Sequence, residues 1–575
     1  MISAVFAIAV PVVVRQAIDS LPRFERLYRQ FEATELQHPL YWDFFWTLFV
    51  FGLIIIGLSL ANGLFAFLMR QTVIVASRHI EFDIRNTLYE HLQKLSSSFY
   101  NRTKTGDVIT RATSDIEQVR RYIGPAIMYS TRALVIVVAA ITAMLIISPT
   151  LTLYALMPMS ILAAAIFIVA QLVHKRSDAL QRQYAQLTSR VQETLAGIRL
   201  VKAYAKEETE TQAFEKESHF YKLRMLGLAR VEAAWRPVFV IVVGLSEIMV
   251  VWVGGRLVSE GVITIGNIAE YIIYVALMTW PVAAFGLVIS MMQRASASAE
   301  RIYEVLDRAP QIHDGPRTDH SISKIDGHVT FQNVSFRYGE NLTDALQNIS
   351  FDVPAGSSFA IVGKTGAGKT TLIKMIGRLI EPTTGRIMID GRDVQKLPLT
   401  VLREGIGYVP QEVFLFSESI GNNIAFGTVG ASEEEIRQSA FEAELLETVL
   451  EFPDGLNSGV GERGVSLSGG QAQRTTIARA LIREPRIFIL DDALSSVDTK
   501  TENRILEHLR KRQGHHTMIL VSHRISSIQG VDQIILLDEG RIVERGNHES
   551  LMQQEGIYAQ MHKRQLLEER LEALQ

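Results

Sequence analysis

Long apolar runs fill the first half of the chain, and short alternating ones fill the second. Residues 151–172 (LTLYALMPMSILAAAIFIVAQL) contain no charged side chain, and a membrane-spanning helix needs about 20 mostly apolar residues. Residues 44–69, 133–149, 237–258 and 271–293 meet the same demand once tilt is allowed. Residues 2–14 make a sixth, shorter run. It has no basic start and no small-residue cleavage site, so it does not read as a signal peptide. Past residue 325 the period changes. Residues 328–338 (HVTFQNVSFRY) alternate as strands do, and 357–362 (SSFAIV) form a short apolar strand.

The segments between the apolar runs set an orientation. Residues 70–126 hold 9 Lys and Arg, and residues 174–235 hold 11. The opposite side offers 19–43, 148–150 and 259–270, with only Arg23, Arg26 and Arg29. Basic segments stay in the cytoplasm, so the two long segments and everything after the sixth run are expected inside. Apolar residues recur there at three- and four-residue spacing, which predicts helices running well out of the bilayer. The first run sits close to Met1. With Arg15 and Asp19 at its outer end, about 14 residues give roughly 21 Å of helix, short of a ~30 Å hydrocarbon core. The expectation is a start assigned too late or a shortened chain.

Composition narrows the chemistry. The chain has 575 residues, 48% hydrophobic and 21% charged, with a net charge of -3 and no cysteine. That length predicts several domains. The charge gives no general pull toward nucleic acid. Disulfides, cysteine–metal sites and cysteine nucleophiles are excluded.

The chemistry lies in the second half. Gly363-Lys364-Thr365-Gly366-Ala367-Gly368-Lys369-Thr370 follows the 357–362 strand, and Thr371-Leu372-Ile373-Lys374 opens a helix. A strand, a Gly-rich loop and a helix in that order make a phosphate-binding P-loop. Backbone N–H groups close around phosphate oxygens at a helix N-terminus. Lys369 is placed for the β- and γ-phosphates, and the Thr370 hydroxyl for Mg²⁺. Leu467-Ser468-Gly469-Gly470-Gln471 comes about a hundred residues later, followed by an apolar strand ending in a carboxylate, Ile487-Phe488-Ile489-Leu490-Asp491. A Gly-rich turn, a lone His or a lone Tyr would each have a bland structural reading; order and spacing together do not.

On these motifs the chain resembles the ATP-binding cassette (ABC) exporters, specifically half-transporters. The resemblance spans about residues 10–565. It implies an α-helical six-span membrane domain followed by an α/β P-loop nucleotide-binding domain. The expected limits are 1–295 for the membrane domain, 296–325 for a linker, 326–565 for the nucleotide-binding domain and 566–575 for a tail. ATP and Mg²⁺ are the implied cofactors. Tyr338 matches the aromatic that stacks on adenine. Gly363 to Thr371 match the phosphate cradle, and Thr370, Gln411 and Asp491 the Mg²⁺ contacts. Gly461-Glu462-Arg463-Gly464 resembles the loop before the signature. Ser468, Gly469, Gly470 and Gln471 match the signature that meets the nucleotide of a second domain. Ser495-Ser496-Val497-Asp498 matches the loop that crosses the dimer interface, and His523 the switch residue near the γ-phosphate. Asp492, His523 and Gln411 are the expected catalytic set.

One position departs from the pattern. The family carries Glu after the strand-ending Asp, and here the residue is Asp492. A general base must lie within about 2.6–3.2 Å of its target. Asp is one methylene shorter, which withdraws its oxygens by about 1.5 Å, and a misplacement near 1 Å costs about a hundredfold in rate. The site on this chain's own P-loop is therefore expected to bind ATP and turn it over slowly. The signature is intact, so a different half-transporter carrying the Glu is the expected partner. A homodimer in which Asp492 works slowly stays open.

By resemblance, residues 113–119 (TSDIEQV) and 204–212 (YAKEETETQ) are expected as coupling helices at the tips of the cytoplasmic segments. Glu247 lies in the middle of a span, where a charge is costly and points to function or to an ion pair. Arg132, Arg230, Glu232 and Arg236 sit near inner span ends, and Trp280-Pro281 offers an aromatic face. Such a lining suits amphipathic or lipophilic cargo. The expected setting is the cytoplasmic membrane, with the lipid bilayer, a lipophilic substrate and a second subunit as partners and no nucleic acid. An ATP-gated channel or regulator is the reading from another class.

Overall fold

The computed structural model describes residues 2–31, 34–339, 342–461, 467–511 and 514–572. It divides into two compact units, residues 1–93 with 105–308, and residues 94–104 with 309–575.

The first unit is helical throughout. Its long helices are α1 (Ile2–Gln30) and α2 (Gln37–Lys94). The short α3 (Ser97–Arg102) comes next and belongs to the other unit. The first unit resumes with α4 (Thr105–Ile147) and α5 (Pro149–Ala196). It continues with α6 (Ile198–Ala203), α7 (Glu207–Ser259) and α8 (Ile265–Leu306). Among the described residues α1, α2, α4, α7 and α8 are long and apolar enough to cross a membrane, and α5 opens with a shorter apolar stretch, Pro149–Leu162. α2 buries none of its most apolar stretch, as suits a surface made for lipid or another chain.

Local chemistry sets the helix ends. Ser148 accepts from the Leu151 N–H at 3.3 Å and starts α5 with Pro149 at its first position. Thr264 and Asn267 form a capping box at the start of α8. Ala140, Met144, Leu151, Ala155, Val250 and Val275 bury against one another between α4, α5, α7 and α8. Inside that apolar cluster Tyr271 is fully buried, and its hydroxyl donates to the Met144 carbonyl at 2.6 Å. An unmade hydrogen bond there would cost heavily.

α4 contains two π-helical turns, Arg111–Asp115 and Tyr122–Ala126, the second around Pro125. Asp115 is 2% exposed. It accepts from Ser298 at 2.8 Å and from the Arg301 Nε at 2.9 Å, both on α8. The Arg301 guanidinium holds the Asp115 carboxyl below its ordinary 3.8, against the pull of burial. Nearby, Arg120 lies between Glu117 and Glu81 and holds Glu117 down to about 2. Asp115→Ala leaves the half-exposed Arg301 and the buried Ser298 without their shared acceptor and is expected to cost about 1–2 kcal/mol. The thermal unfolding midpoint of the purified protein reads this directly. The folded carboxyl titrates below the unfolded one, so this stabilisation is present above about pH 4 and is lost as pH falls through the depressed value.

The cytoplasmic tips differ from expectation. Residues 113–119 lie inside α4 and pack on α8. The chain turns at Ser96 and Thr103, both extended, and the short helix α3 stands between them. Hydrogen bonds explain its place with the second unit: Ser98 donates to Gln311 at 2.6 Å, and the Ile312 N–H to the Ser96 hydroxyl at 3.0 Å. Phe99 is buried there. The other turn falls at Gly197–Lys206, with Ala205 at φ 48°, so 204–212 covers only its last part.

The second unit is α/β. An antiparallel sheet runs β2 (Leu346–Val353), β1 (Val329–Phe336), β4 (Thr384–Ile389), β5 (Arg392–Asp393). A larger sheet holds β3 (Ser358–Gly363), β6 (Ile406–Val409), β7 (Ile487–Asp491), β8 (Thr517–Val521), β9 (Gln533–Asp538) and β10 (Arg541–Gly546), in the order β10-β9-β3-β8-β7-β6. From β9 to β6 neighbours run parallel. β3, β7 and β8 are buried at every position, the pattern of a parallel sheet covered on both faces. Ile361, Ile489 and Ile519 face one apolar core, and Ala360, Phe488 and Leu520 the other. Ligands of such sheets bind beyond the carboxyl ends of the strands.

Candidate nucleotide site

Four parallel strands deliver their C-terminal ends to one edge. β3 ends at Gly363, β7 at Asp491 with Asp492 next, β8 two residues before His523, and β6 two residues before Gln411. Register aligns Asp491 with Val521 and Leu490 with Val409. The Asp492 N–H donates to the Val521 carbonyl at 2.9 Å, which extends that alignment one residue beyond the strand.

The P-loop turns on glycine. Gly363 has φ 154° and Gly368 φ 101°, and a Cβ on Gly368 would come within 2.8 Å of the Ala345 carbonyl. α9 (Lys369–Ile376) begins there, so N–H groups and a helix N-terminus converge on the loop. The Lys369 ammonium donates to the Gly363 and Lys364 carbonyls at 2.8 and 2.9 Å. Burial pushes it down, while Asp492 and Asp491 pull the other way. Thr365, Gly366 and Ala367 complete the turn, with Gly366 at φ 84°.

Two oxygen donors meet beside the loop. The Thr370 hydroxyl donates to Asp491 Oδ1 at 3.1 Å, and the Tyr408 hydroxyl to Oδ2 at 3.3 Å. Burial raises the Asp491 carboxyl; Thr370 and Tyr408 oppose the rise, and Asp492 adds to it. A second negative charge next to a buried carboxylate is what a cation relieves. The pair fits Mg²⁺, a hard ion that takes one or two protein oxygens together with phosphates and waters. No group of three His, Asp or Glu forms a protein-only cage among the described residues. Gln411 is exposed, and no hydrogen bond brings it to this pair among the described residues.

Asp492 adopts φ 51°, a left-handed backbone that Asp tolerates better than most residues. Its carbonyl accepts from the Ser495 hydroxyl at 2.9 Å, and its carboxylate makes no hydrogen bond among the described residues. Tyr338 is 47% exposed. Its hydroxyl pairs with Thr371 at 2.9 Å, and its ring stands edge-on to Phe336. Arg102 of the short helix α3 donates to the Tyr338 carbonyl at 3.2 Å.

The signature caps a different helix, α10 (Gly469–Leu481). The Ser468 hydroxyl accepts from the Gln471 N–H at 3.3 Å, and Gln471 Oε1 from the Ser468 N–H at 2.8 Å. Ser468 and Gly469 are exposed. No hydrogen bond joins Ser468, Gly469, Gly470 or Gln471 to the P-loop among the described residues. Gln473 of α10 instead receives the Ser496 N–H at 3.1 Å, which ties the helix to the 495–498 loop. Asp498 caps the following helix by accepting from the Thr501 N–H at 3.0 Å. Glu462, Arg463 and Gly464 lie outside the described residues, as does the side chain of Arg236.

Tyr408 on Asp491, Arg102 on Tyr338, and the contacts of Glu502 and Arg524 were not legible as site features. Their partners are distant in sequence, and only the folded chain brings them near. In the membrane unit, Glu247 is half-buried without a hydrogen bond or ion pair among the described residues. Trp280 stands edge-on to Tyr129 with ring centres 5.5 Å apart.

Known proteins share this arrangement. The family described as "ABC transporter transmembrane region" matches residues 1–282, and that described as "ABC transporter" matches 346–495. A probable multidrug resistance ABC transporter ATP-binding/permease protein of Bacillus subtilis is 36% identical over 485 residues, 84% of this chain and 83% of that one. An ATP-dependent lipid A-core flippase of Photobacterium profundum is 32% identical over 510 residues, 88% of this chain and 87% of that one. The ATP-bound structure of a bacterial Atm1-family ABC exporter superposes with a TM-score of 0.75 at 26% identity, covering 98% of this chain and 97% of that one.

Proposed function

This chain belongs to the ABC transporters that fuse a transmembrane region to an ATP-binding domain, and we propose that it is the slow-site subunit of an asymmetric exporter. The family makes it a multi-pass membrane protein that hydrolyses ATP to drive export. The observation that carries the finer reading is Asp492. It stands directly after β7, and its side chain is one methylene shorter than the Glu that the family carries there.

Each residue has a task in this reading. Lys369 and the loop N–H groups of Gly363 to Thr370 hold the phosphates, and Tyr338 supports the adenine. Thr370 and Asp491 would hold Mg²⁺, and Gln411 after β6 would add a further contact to it. Mg²⁺ supplies charge neutralisation for the departing phosphate. His523, beside Asp492, faces the reacting end. The exposed N-terminus of α10 presents Ser468 and Gly470 to a nucleotide held by a second domain. The second domain carries a Glu where this chain has Asp492.

Cargo is proposed as amphipathic or lipophilic. The named relatives concern drugs and a lipid, and the aromatic pair Tyr129–Trp280, with Glu247 unpaired among the described residues, suits a lipophilic cation. Inverted vesicles holding the complex are expected to accumulate a fluorescent lipophilic cation only with hydrolysable ATP. Glu247→Gln is expected to lower that uptake severalfold, and unchanged uptake would remove Glu247 from the cargo path. Uptake that ignores ATP would make the protein a channel or regulator. Tyr338→Ala is expected to weaken ATP binding about tenfold, since stacking of a base on an aromatic is worth about 1–3 kcal/mol. Equilibrium binding of a fluorescent ATP analogue measures it.

A further inference from the structure

Glu502 lies ten residues beyond Asp492 on α11 (Thr499–Lys511), and its side chain is 3% exposed. A buried carboxylate is costly unless paired. Both of its partners come from one loop. It accepts from the Ser527 hydroxyl and from Arg524 Nη1 at 3.3 Å. Arg524 directly follows His523. The other arm of the guanidinium donates to the Ser495 carbonyl at 3.2 Å, and Ser495 in turn donates to the Asp492 carbonyl at 2.9 Å. The chain of contacts therefore runs Glu502, Arg524, Ser495, Asp492, with His523 one peptide away. Asp492, Ser495, Glu502, Ser522, Arg524 and Ser527 wall a single cavity of about 10 Å³. Nothing in the nucleotide site described above uses Glu502.

We infer that Glu502 is a positioning residue for ATP hydrolysis. Among the described residues its hydrogen bonds and ion pair go to Arg524 and Ser527, not to the P-loop or the Mg²⁺ pair. It fixes the loop after β8 to the loop after β7, and so fixes His523 and Asp492 relative to each other. The left-handed backbone at Asp492 needs such a hold, because strained conformations persist only where surroundings over-determine them. The charge matters: Arg524 reaches Glu502 through a single Nη1 contact at 3.3 Å, and an ionised acceptor strengthens such a bond. The inference rests on this site hydrolysing ATP at some rate, not on the partner's identity.

The test uses the purified full-length complex with Glu502→Gln, Arg524→Gln and the double variant. Glu502→Gln keeps the shape and an acceptor for Ser527 while removing the charge. Turnover is expected to fall about tenfold, less than the hundredfold that a 1 Å misplacement brings, with ATP affinity unchanged. The double variant is expected to be no worse than either single variant, because both remove one link. In a homodimer the loss is read directly. In an asymmetric pair it is read in the Asp492→Glu background, where this site contributes. Amide hydrogen exchange at residues 523–527 is expected to quicken in Glu502→Gln while β3 and β8 stay protected. Turnover and exchange both unchanged would overturn the inference, and so would losses in the two single variants that simply add. If Asp492→Glu raises no turnover, the slow-site reading fails, and Glu502→Gln is judged on the unmodified protein.

Discussion

Asp492→Glu is expected to raise ATP turnover at this chain's own site by up to about a hundredfold. The added methylene moves the carboxylate about 1.5 Å forward, into the 2.6–3.2 Å reach that general-base catalysis demands. The rest of the site is already built. Lys369 lies on the loop carbonyls, and Thr370 is hydrogen-bonded to Asp491. Binding is therefore expected to change little while the chemical step quickens. Glu accepts a left-handed backbone somewhat less readily than Asp, but Glu444, Glu484, Glu539 and Glu555 adopt it in this chain, so folding is expected to change little. Single-turnover hydrolysis of bound nucleotide separates the two effects. An unaltered rate would mean that Asp492 already reaches its water, and a homodimer would then account for the chain.

Gly470→Asp is expected to lower turnover of the complex by about a hundredfold or more, the scale of removing a preorganised electrostatic donor. Two features combine at this position. A Cβ on Gly470 would stand 2.9 Å from the Ser496 carbonyl, so the backbone must shift. The added carboxylate also lies at the N-terminus of α10, against the phosphates that this helix end is proposed to meet. ATP binding to this chain's own P-loop is expected to persist, since no hydrogen bond links Gly470 to that loop among the described residues. Retained binding with lost turnover marks the signature as part of a site shared with another domain. Equal loss of binding and turnover would place signature and P-loop in one site.

The two variants predict opposite changes because, in the proposed reading, Asp492 and the signature serve different sites. That was legible from residue order alone. So were the P-loop turn and the strand ending at Asp491, because each motif is contiguous and carries its own turn chemistry. The parallel strands were legible as apolar runs, but not their order. β8 lies between β3 and β7, and its pairing with β7 sets the segment that carries His523 next to Asp492. The tip of the first cytoplasmic segment was misplaced. Residues 113–119 have helical periodicity, as does everything around them, and periodicity does not mark a turn. The break at Ser96 and Thr103 is short and polar, and Ser98 and Phe99 declare their role only through Gln311 and a buried apolar surface. Glu502 was invisible for a similar reason. On a helix with His508, Arg510 and Lys511 it reads as one more surface charge until Arg524 and Ser527 are seen closing on it.

The central claim is that this chain pairs with a different subunit. Native mass spectrometry of the complex, purified from its own membranes through a tag on this chain, tests it most directly. The account predicts one copy of this chain with one distinct half-transporter, whose sequence carries Glu after the strand-ending Asp. Two copies of this chain and nothing else would contradict it, and Asp492 would then have to sustain all of the turnover.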